Sequence, residues 1–455
     1  MTKTQSTTSV CAIVLAAGLG TRMKSKKQKV LHEIAGRPMV CHVLAALEEA
    51  GVMRSVVVVS EGSKDVKDAV APRPVAVQAR QLGTGDAVKS ALPLLEQTEQ
   101  EVLVLFGADP LISSQTISTI IARRQAKDNP AVVVLGFRPN EFENYGRLIA
   151  AADGHLDAIV EAKDATPEQA RIDLCNSGIM AIDGKRLPDL LSRLRNDNAK
   201  QEFYLTDIVR LARQDGAICA WVEGDETELL GVDTRADLAE AERLIQIRLR
   251  KKALAGGATL IDPKSTFFSA DTIIGQDVVI GPNVFFGPGV NVADNVVINA
   301  FCHIEGTDLC EGATVGPYAR LRPGAKIERG AKVGNFVEIK NAVLGTGAKV
   351  NHLSYVGDAM VGANANIGAG TITCNYDGFL KSRTEIGEGA FIGSNTALVA
   401  PVKIGDGAII GAGSTISKDV MGDDLAVTRA PQKSVSGWAK RFRSERQAKK
   451  NALKK

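Results

Sequence analysis

Residues 274–304, cut after Ile274 and at every sixth position, read I-GQDVVI-GPNVFF-GPGVNV-ADNVVI-NAFCHI. Each unit ends on an aliphatic or aromatic residue (Ile274, Ile280, Phe286, Val292, Ile298, Ile304), and from Ile280 onward Val or Cys stands two places before it. The period resumes after a five-residue step at Leu309, Val315, Leu321, Ile327, Val333 and Ile339. It returns at Leu344, Val350, Val356, Val361 and Ile367, then closes with Ile386, Ile392, Leu398, Ile404, Ile410 and Ile416. A six-residue period sustained this long predicts a solenoid of short parallel strands, each coil buried only by its neighbours. The interruption TCNYDGFLKSRTE (373–385) must leave the solenoid as a loop, and such loops tend to carry binding residues.

Upstream the grammar is different. VCAIVLA (10–16), SVVVVS (55–60), EVLVLF (101–106) and AVVVLGF (131–137) are β-branched and apolar on both faces, as central parallel strands are. Between them lie amphipathic segments such as PMVCHVLAALEEAG (38–51), with Pro at the start and Gly after the end. This predicts an α/β domain with a mostly parallel sheet, binding ligands beyond the carboxyl ends of its strands. TRAD (234–237) resembles a capping box and opens a charged helical segment that stops at Gly256-Gly257. The expected organisation is an α/β domain over 1–235, a linker helix over 236–256, the hexapeptide domain over 257–438 and a disordered basic tail over 439–455.

At 455 residues, two or three domains are expected. The formal charge of +3 is misleading, because residues 440–455 hold eight Lys/Arg against one Glu and leave the remaining chain acidic. No basic domain for nucleic acid is present, and the tail reads as a solvated end. The seven cysteines are scattered without a CxxC pair, which argues for reduced thiols in a cytoplasmic protein. The polar MTKTQSTTS is no signal peptide, and no run of about 18 apolar residues predicts a membrane span.

LAAGLGTRMKSKKQKVLH (15–32) follows the first apolar run and has the character of an anion-binding turn: glycines at a strand end, with Arg22 and Lys29 nearby. It is not a Walker A loop. QLGTG (81–85) offers a second Gly turn, and FGADPL (106–111) places a carboxylate at a strand end where phosphate-chelated Mg²⁺ could sit. NYGR (144–147), VEAKDA (160–165), CNSGIM (175–180) and GVDTRADL (231–238) each put a polar group beside Gly or at a strand end.

This set resembles the sugar-1-phosphate nucleotidyltransferases, whose LxxGxGTRM…PKxL signature matches Leu15 to Leu31 with Gln28 in place of Pro. Together with the hexapeptide half, residues 10–440 resemble the bacterial family of bifunctional N-acetylglucosamine-1-phosphate uridyltransferase/glucosamine-1-phosphate acetyltransferases. The resemblance implies a Rossmann-like nucleotidyltransferase domain, a linker helix and a left-handed parallel β-helix. It also implies a homotrimer that makes UDP-N-acetylglucosamine, a precursor of bacterial cell-wall and envelope sugars. Leu15, Ala16, Ala17 and Gly18 would contact the nucleotide, and Arg22 and Lys29 the phosphates of UTP. Gln78, Gly83 and Thr84 would read uracil, and Gly146, Glu161 and Asn176 would hold the amino sugar. The family's metal-binding Asp falls here on Ala108, with Asp109 one place later, and the family's second ligand, an Asn, is Asp233. On a strand, one place turns a side chain to the other face. Asp233 is therefore the expected Mg²⁺ contact, and Asp109 the weaker one unless the strand has already ended.

In the solenoid, VNHLSY (350–355) puts His352 at an outward-facing turn position, with Arg322 and Lys340 on adjacent coils and Tyr355 close by. An imidazole beside phosphate-binding cations suits proton removal from an amine that attacks a thioester. The resemblance assigns His352 the base role, and gives Arg322, Lys340, Tyr355, Asn366, Asn375 and Tyr376 to glucosamine-1-phosphate. Ala369, Ser394, Ala412 and Arg429 would line the acetyl-CoA site, between subunits. Three other readings stand beside this one: an acetyltransferase whose uridyl site is impaired at the metal, a nucleotidyltransferase whose solenoid only oligomerises, and a non-catalytic scaffold.

Overall fold

The computed structural model describes residues 9–96, 100–140, 142 and 144–453. The chain divides into two compact units. One comprises Met1–Lys252 with Phe267–Ala270, the other Ala253–Thr266 with Asp271–Lys455.

The first unit is built on a nine-stranded sheet. Its strands are β1 (Val10–Leu15), β2 (Arg54–Ser60), β3 (Val75–Gln78), β4 (Glu101–Phe106), β5 (Val132–Phe137), β6 (Arg147–Ala150), β7 (Leu156–Val160), β8 (Cys175–Asp183) and β9 (Cys219–Glu223). The main order is β9-β5-β8-β4-β1-β2-β3, with β6 and β7 as a branch from β8. Pairing of β1 with β2 and β4 is parallel, as the apolar runs predict. The sheet is mixed, however, because β8 runs antiparallel between β4 and β5. Helices α1 (Met39–Glu49), α2 (Thr84–Ala91), α3 (Ser114–Arg124) and α4 (Asp207–Gln214) belong to this unit. Two apolar clusters bury the sheet, one containing Ile13, Val58 and Val104 and the other Val14, Val57 and Leu105. Neighbouring residues of one strand feed opposite clusters, which is why these strands read as continuous apolar runs. Helix α5 (Arg235–Ala255) follows, starting at the expected capping sequence.

In the second unit the sixth-position residues stack. Ile280 pairs with Ile298, Ile298 with Val315, Val315 with Val333, Val333 with Val350 and Val350 with Ile367. Every member of this ladder is at most 1% exposed. A second ladder runs Val292, Leu309, Ile327, Leu344, Val361, Ile386 and Ile404, and a third Phe286, Ile304, Leu321, Ile339 and Val356. Three ladders of parallel pairs make a β-helix. The excursion spans the gap between the strands Ile372–Cys374 and Thr384–Ile386. Asp377 Oδ1 accepts from the Phe379 and Leu380 N–H groups to form its tip.

One expectation is corrected. The basic tail, read as disordered, is the helix α6 (Trp438–Ala452). Its composition of Ala, Lys, Arg, Glu and Gln favours helix, and Trp438 stacks on Phe442, which Arg446 covers in turn. No disulfide forms among the described residues, and no helix there is long and apolar enough to cross a membrane.

Candidate active sites

A cavity of about 410 Å³ opens beyond the carboxyl ends of β1, β3 and β4. Its lining includes Leu15, Ala16, Ala17, Gly18, Lys29, Gln78, Gly83, Thr84, Asn176, Asp109 and Asp233, eleven residues singled out from sequence. The loop after β1 closes through a short turn at Thr21–Met23. Gly20 has φ 59°, and a Cβ there would stand 2.6 Å from Lys29 Cβ, so only glycine lets Lys29 lie against the turn. Gln28 replaces the family's Pro at φ −61°, a proline-like value, and its Nε2 donates to Ser63 Oγ at 2.7 Å.

Asp233 is held by both cations. Lys29 Nζ lies 2.7 Å from Oδ1 and the Arg22 guanidinium 2.9 Å from Oδ2. The Asp237 carboxylate accepts from the N–H groups of Asp233 (3.0 Å) and Thr234 (2.8 Å), so the start of α5 fixes this carboxylate. Arg235 Nε donates to the Met23 carbonyl at 3.2 Å, and its NH1 lies 3.3 Å from His32 Nδ1. A guanidinium only donates, so Nδ1 must accept and the ring is neutral. Burial and the charge of Arg235 hold the His32 pKa below its ordinary value, in agreement.

Asp109 resolves the question of the shifted carboxylate. Strand β4 ends at Phe106, and Asp109 N–H donates to the Phe106 carbonyl in a turn. Strand alternation no longer applies there, and Ala108 and Asp109 both line the cavity. Burial pushes the Asp109 pKa up to about 7, Lys29 opposes the shift and Asp233 adds to it. Two carboxylates thus share one cavity with Lys29, while Arg22 is not in the lining and reaches Asp233 from an exposed position. No group of three or more metal-ligating side chains occurs among the described residues. A pair of carboxylates is the donor set that suits Mg²⁺ bound jointly with phosphates.

Gly146 and Glu161 stand beside the cavity rather than in its lining. A Cβ on Gly146 would be 3.7 Å from Glu161 Oε2 and 3.7 Å from Asn176 Cβ, so the three are neighbours. Glu161 lines an adjoining cavity of about 340 Å³ with Thr206 and Asp207, and burial raises its pKa. Sequence reading missed Gln81, Phe106, Tyr145, Ser177 and Glu202 in the lining of the main cavity. Gln81, Phe106, Tyr145 and Ser177 lay inside quoted motifs, whereas Glu202 carried no local signal.

In the second unit, His352 ends the strand Lys349–His352 and is exposed. Its Nδ1 pairs with Asn335 Oδ1 at 2.6 Å, across the register Asn335–His352. Since Asn Oδ1 accepts, Nδ1 carries the proton and Nε2 is left as the basic nitrogen. Asn335 was not predicted, and its only signal was its place one coil before His352. Arg322 pairs with Glu338 at 2.8 Å. Lys340 faces Lys381, another residue missed from sequence, and that neighbour together with Arg322 lowers its pKa. Asp358 balances these cations and accepts from Asn341 at 2.6 Å and from Asn375. The Tyr376 hydroxyl donates to the Gly378 carbonyl within the excursion. A Cβ on Gly357 would meet the Tyr355 hydroxyl, so that ring lies over the adjacent backbone. Asn366 pairs with Lys349 one coil away. Ala369, Ser394 and Ala412 form one corner ladder: Asn395 N–H donates to the Ala369 carbonyl and Gly413 N–H to that of Ser394. Arg429 reaches the Ala412 carbonyl.

Comparison with known proteins gives a consistent picture. Residues 12–172 match the MobA-like NTP transferase domain, and residues 271–306 and 383–418 match the bacterial transferase hexapeptide (six repeats). The Bifunctional protein GlmU of Paramagnetospirillum magneticum is 58% identical over 441 residues, covering 97% of this chain and 98% of the relative. Those of Rhodospirillum rubrum (60% over 437 residues, 96% and 98%) and Rhizorhabdus wittichii (56% over 445 residues, 97% and 98%) are similar to it over the same extent.

Proposed function

From the premise that the chain belongs to the GlmU family of bifunctional proteins, we infer which residues carry each half of its activity. The protein is a bifunctional enzyme with glucosamine-1-phosphate acetyltransferase and N-acetylglucosamine-1-phosphate uridyltransferase activities. Its N-terminal domain is a nucleotidyltransferase and its C-terminal domain a hexapeptide left-handed β-helix.

In the acetyl half, the amine of glucosamine-1-phosphate attacks the thioester carbonyl of acetyl-CoA. A C–N bond forms, the C–S bond breaks, and His352 Nε2 takes the amine proton. Asn335 fixes the tautomer, and Arg322, Lys340 and the excursion residues Asn375 and Tyr376 hold the sugar phosphate. Tyr355 and Asn366 complete that subsite. The corner ladder Ala369, Ser394 and Ala412, with Arg429, carries acetyl-CoA. This ladder lies open on one chain. Together with the exposed apolar corner Phe301, Tyr318, Phe336 and Leu353, it favours a homotrimer in which a neighbouring subunit closes the site.

In the uridyl half, a phosphate oxygen of N-acetylglucosamine-1-phosphate attacks the α-phosphorus of UTP, and the bond to pyrophosphate breaks. Leu15–Gly18 receive the nucleotide, Gln78, Gly83 and Thr84 read uracil, and Gly146, Glu161 and Asn176 hold the sugar. Lys29 and Arg22 neutralise phosphate charge, which is the main catalytic demand of this reaction. Mg²⁺, held by Asp233 and Asp109, would supply further neutralisation at the phosphates. An incoming polyphosphate competes with Asp233 for Arg22 and Lys29.

The convergence of eleven sequence-predicted residues on one cavity carries this reading of the first site. Two assays test the whole: acetyl-CoA with glucosamine-1-phosphate, and UTP with N-acetylglucosamine-1-phosphate. Both should be catalysed by the one chain. Absence of the second activity would favour an impaired metal site.

A further inference from the structure

Residues 198–204 carry neither helix nor strand, yet the segment running on to Thr206 is bonded to both halves of the first site. On one side it clasps the turn that contains Gly83 and Thr84. Phe203 N–H donates to the Leu82 carbonyl at 2.8 Å, and the Phe203 carbonyl accepts from Gly85 N–H at 2.8 Å. Leu205 N–H donates to Thr84 Oγ1 at 3.0 Å. The approach is close enough that a Cβ on Gly83, at φ 113°, would stand 2.6 Å from the Phe203 carbonyl oxygen.

On the other side, Thr206 Oγ1 donates to Glu161 Oε1 at 3.3 Å, and Thr206 is only 8% exposed. Thr206 occupies the N-cap of α4, where a hydroxyl usually bonds the first free N–H groups of the helix. It makes no such cap bond, and its hydroxyl serves Glu161 instead. The Asn198 side chain braces the segment, accepting from Glu202 N–H at 3.2 Å and donating to the Glu202 carbonyl at 2.5 Å.

We propose that residues 198–206 are a strap joining the uracil-reading turn to the sugar-reading carboxylate. Thr206 is then a positioning residue for Glu161, and nucleotide and sugar phosphate bind with positive coupling. The physical basis is that a ligand on either side orders the one segment both sides share, and the second ligand meets it already ordered. This rests on the reading of Gly83, Thr84 and Glu161 given above.

The test is calorimetric titration of the full chain with N-acetylglucosamine-1-phosphate, alone and with α,β-methylene-UTP, which keeps base and phosphates but cannot release pyrophosphate. In the wild type the nucleotide analogue should tighten the sugar phosphate by about fivefold or more. Thr206→Val should weaken sugar-phosphate binding about tenfold, as loss of a hydrogen bond to a charged group does, and abolish the tightening. Its affinity for the analogue alone should be unchanged, Thr206→Ser should restore both properties, and acetyl transfer should stay at wild-type level as the sign of a folded chain. Independent binding of the two ligands in the wild type overturns the strap, as does a Thr206→Val protein within about twofold of wild type. Glu161→Ala separates the two levels of inference. If it weakens sugar-phosphate binding while Thr206→Val does not, the strap alone fails. If it leaves binding unchanged, the assignment of the sugar site fails and the strap with it.

Discussion

His352 has one ring nitrogen committed to Asn335, and on the reading proposed above the other takes the amine proton. His352→Ala is expected to lower acetyl transfer by about 10²- to 10⁴-fold while uridyl transfer stays within twofold, measured by the two assays in parallel. The separation follows from the two sites lying in different units. Asn335→Leu should leave the base in place but free its tautomer, giving a smaller loss of about tenfold. In the first site, Asp233→Asn is expected to raise the Mg²⁺ concentration for half-maximal uridyl transfer about tenfold. Ala108→Asp should change it only a few-fold, because Asp109 already brings a carboxylate into the cavity. A rise in activity of orders of magnitude for Ala108→Asp would instead mark the natural site as defective. At this scale the sequence was informative wherever a residue sits in a turn or a repeat unit with its own signature, as Lys29 and Gly83 do in turns and His352 does at the end of a strand of the repeat. It was silent on Glu202, whose place depends on which distant segment lies alongside, and marked Asn335 and Lys381 only by position, one coil before His352 and within the excursion.

Among the elements, the N-terminus of α5 does two things with one carboxylate. Asp237 caps the helix and holds the backbone of Asp233. Asp237→Ala should therefore cost about 1 kcal/mol of stability, as lost caps do, and also reduce uridyl transfer without touching acetyl transfer. Thermal melting and the two assays check both parts. A second case lies where β4, α3 and β8 meet. Arg124 stands 3.1 Å from Glu101 and 3.1 Å from Asp183, all three largely buried. The Glu101–Arg124 contact lacks hydrogen-bond geometry at Glu101 Oε2 and Arg124 Nε. Burial, with Asp183 adding to it, raises the Glu101 pKa from 4.5 to about 7 against the pull of Arg124. A carboxyl whose folded pKa lies above its unfolded value favours folding most below the unfolded value. Its contribution is lost as pH rises from 4.5 to about 7 and is flat beyond. Glu101→Gln should flatten that part of the melting-temperature profile relative to wild type, and parallel profiles would refute the assignment. The four central strands were legible because burial on both faces forces β-branched runs. The antiparallel entry of β8 was not, since strand direction is set by connections and leaves no mark on composition. The tail was misread for the opposite reason, because charge density was weighed above helix propensity.

For the whole molecule, the change of grammar near residue 257 located the solenoid, but the division of the chain is not a single cut. Phe267–Ala270 belong to the first unit. Phe268 exchanges two hydrogen bonds with the Gln246 side chain, at 2.9 and 2.6 Å, and Ala270 N–H donates to the Ala35 carbonyl at 2.8 Å. A fragment ending at residue 270 should therefore melt several degrees above one ending at 252, and both should transfer uridyl but not acetyl groups. Equal melting temperatures would show that the returning segment contributes nothing. A fixed period made the β-helix readable from a few dozen residues, whereas the returning segment has no period and could only be found in three dimensions. The excursion after Cys374 shows what that period permits. Val361 pairs with Ile386 as though the chain between them were an ordinary coil, and Ile386 passes the ladder on to Ile404. The stack therefore registers where a segment leaves and returns, and is indifferent to what lies between. Such a segment can be lengthened, shortened or rewritten without renegotiating the fold, so if Asn375 and Tyr376 hold the sugar phosphate as proposed, substrate choice in the acetyl half is a cassette carried on a separate frame.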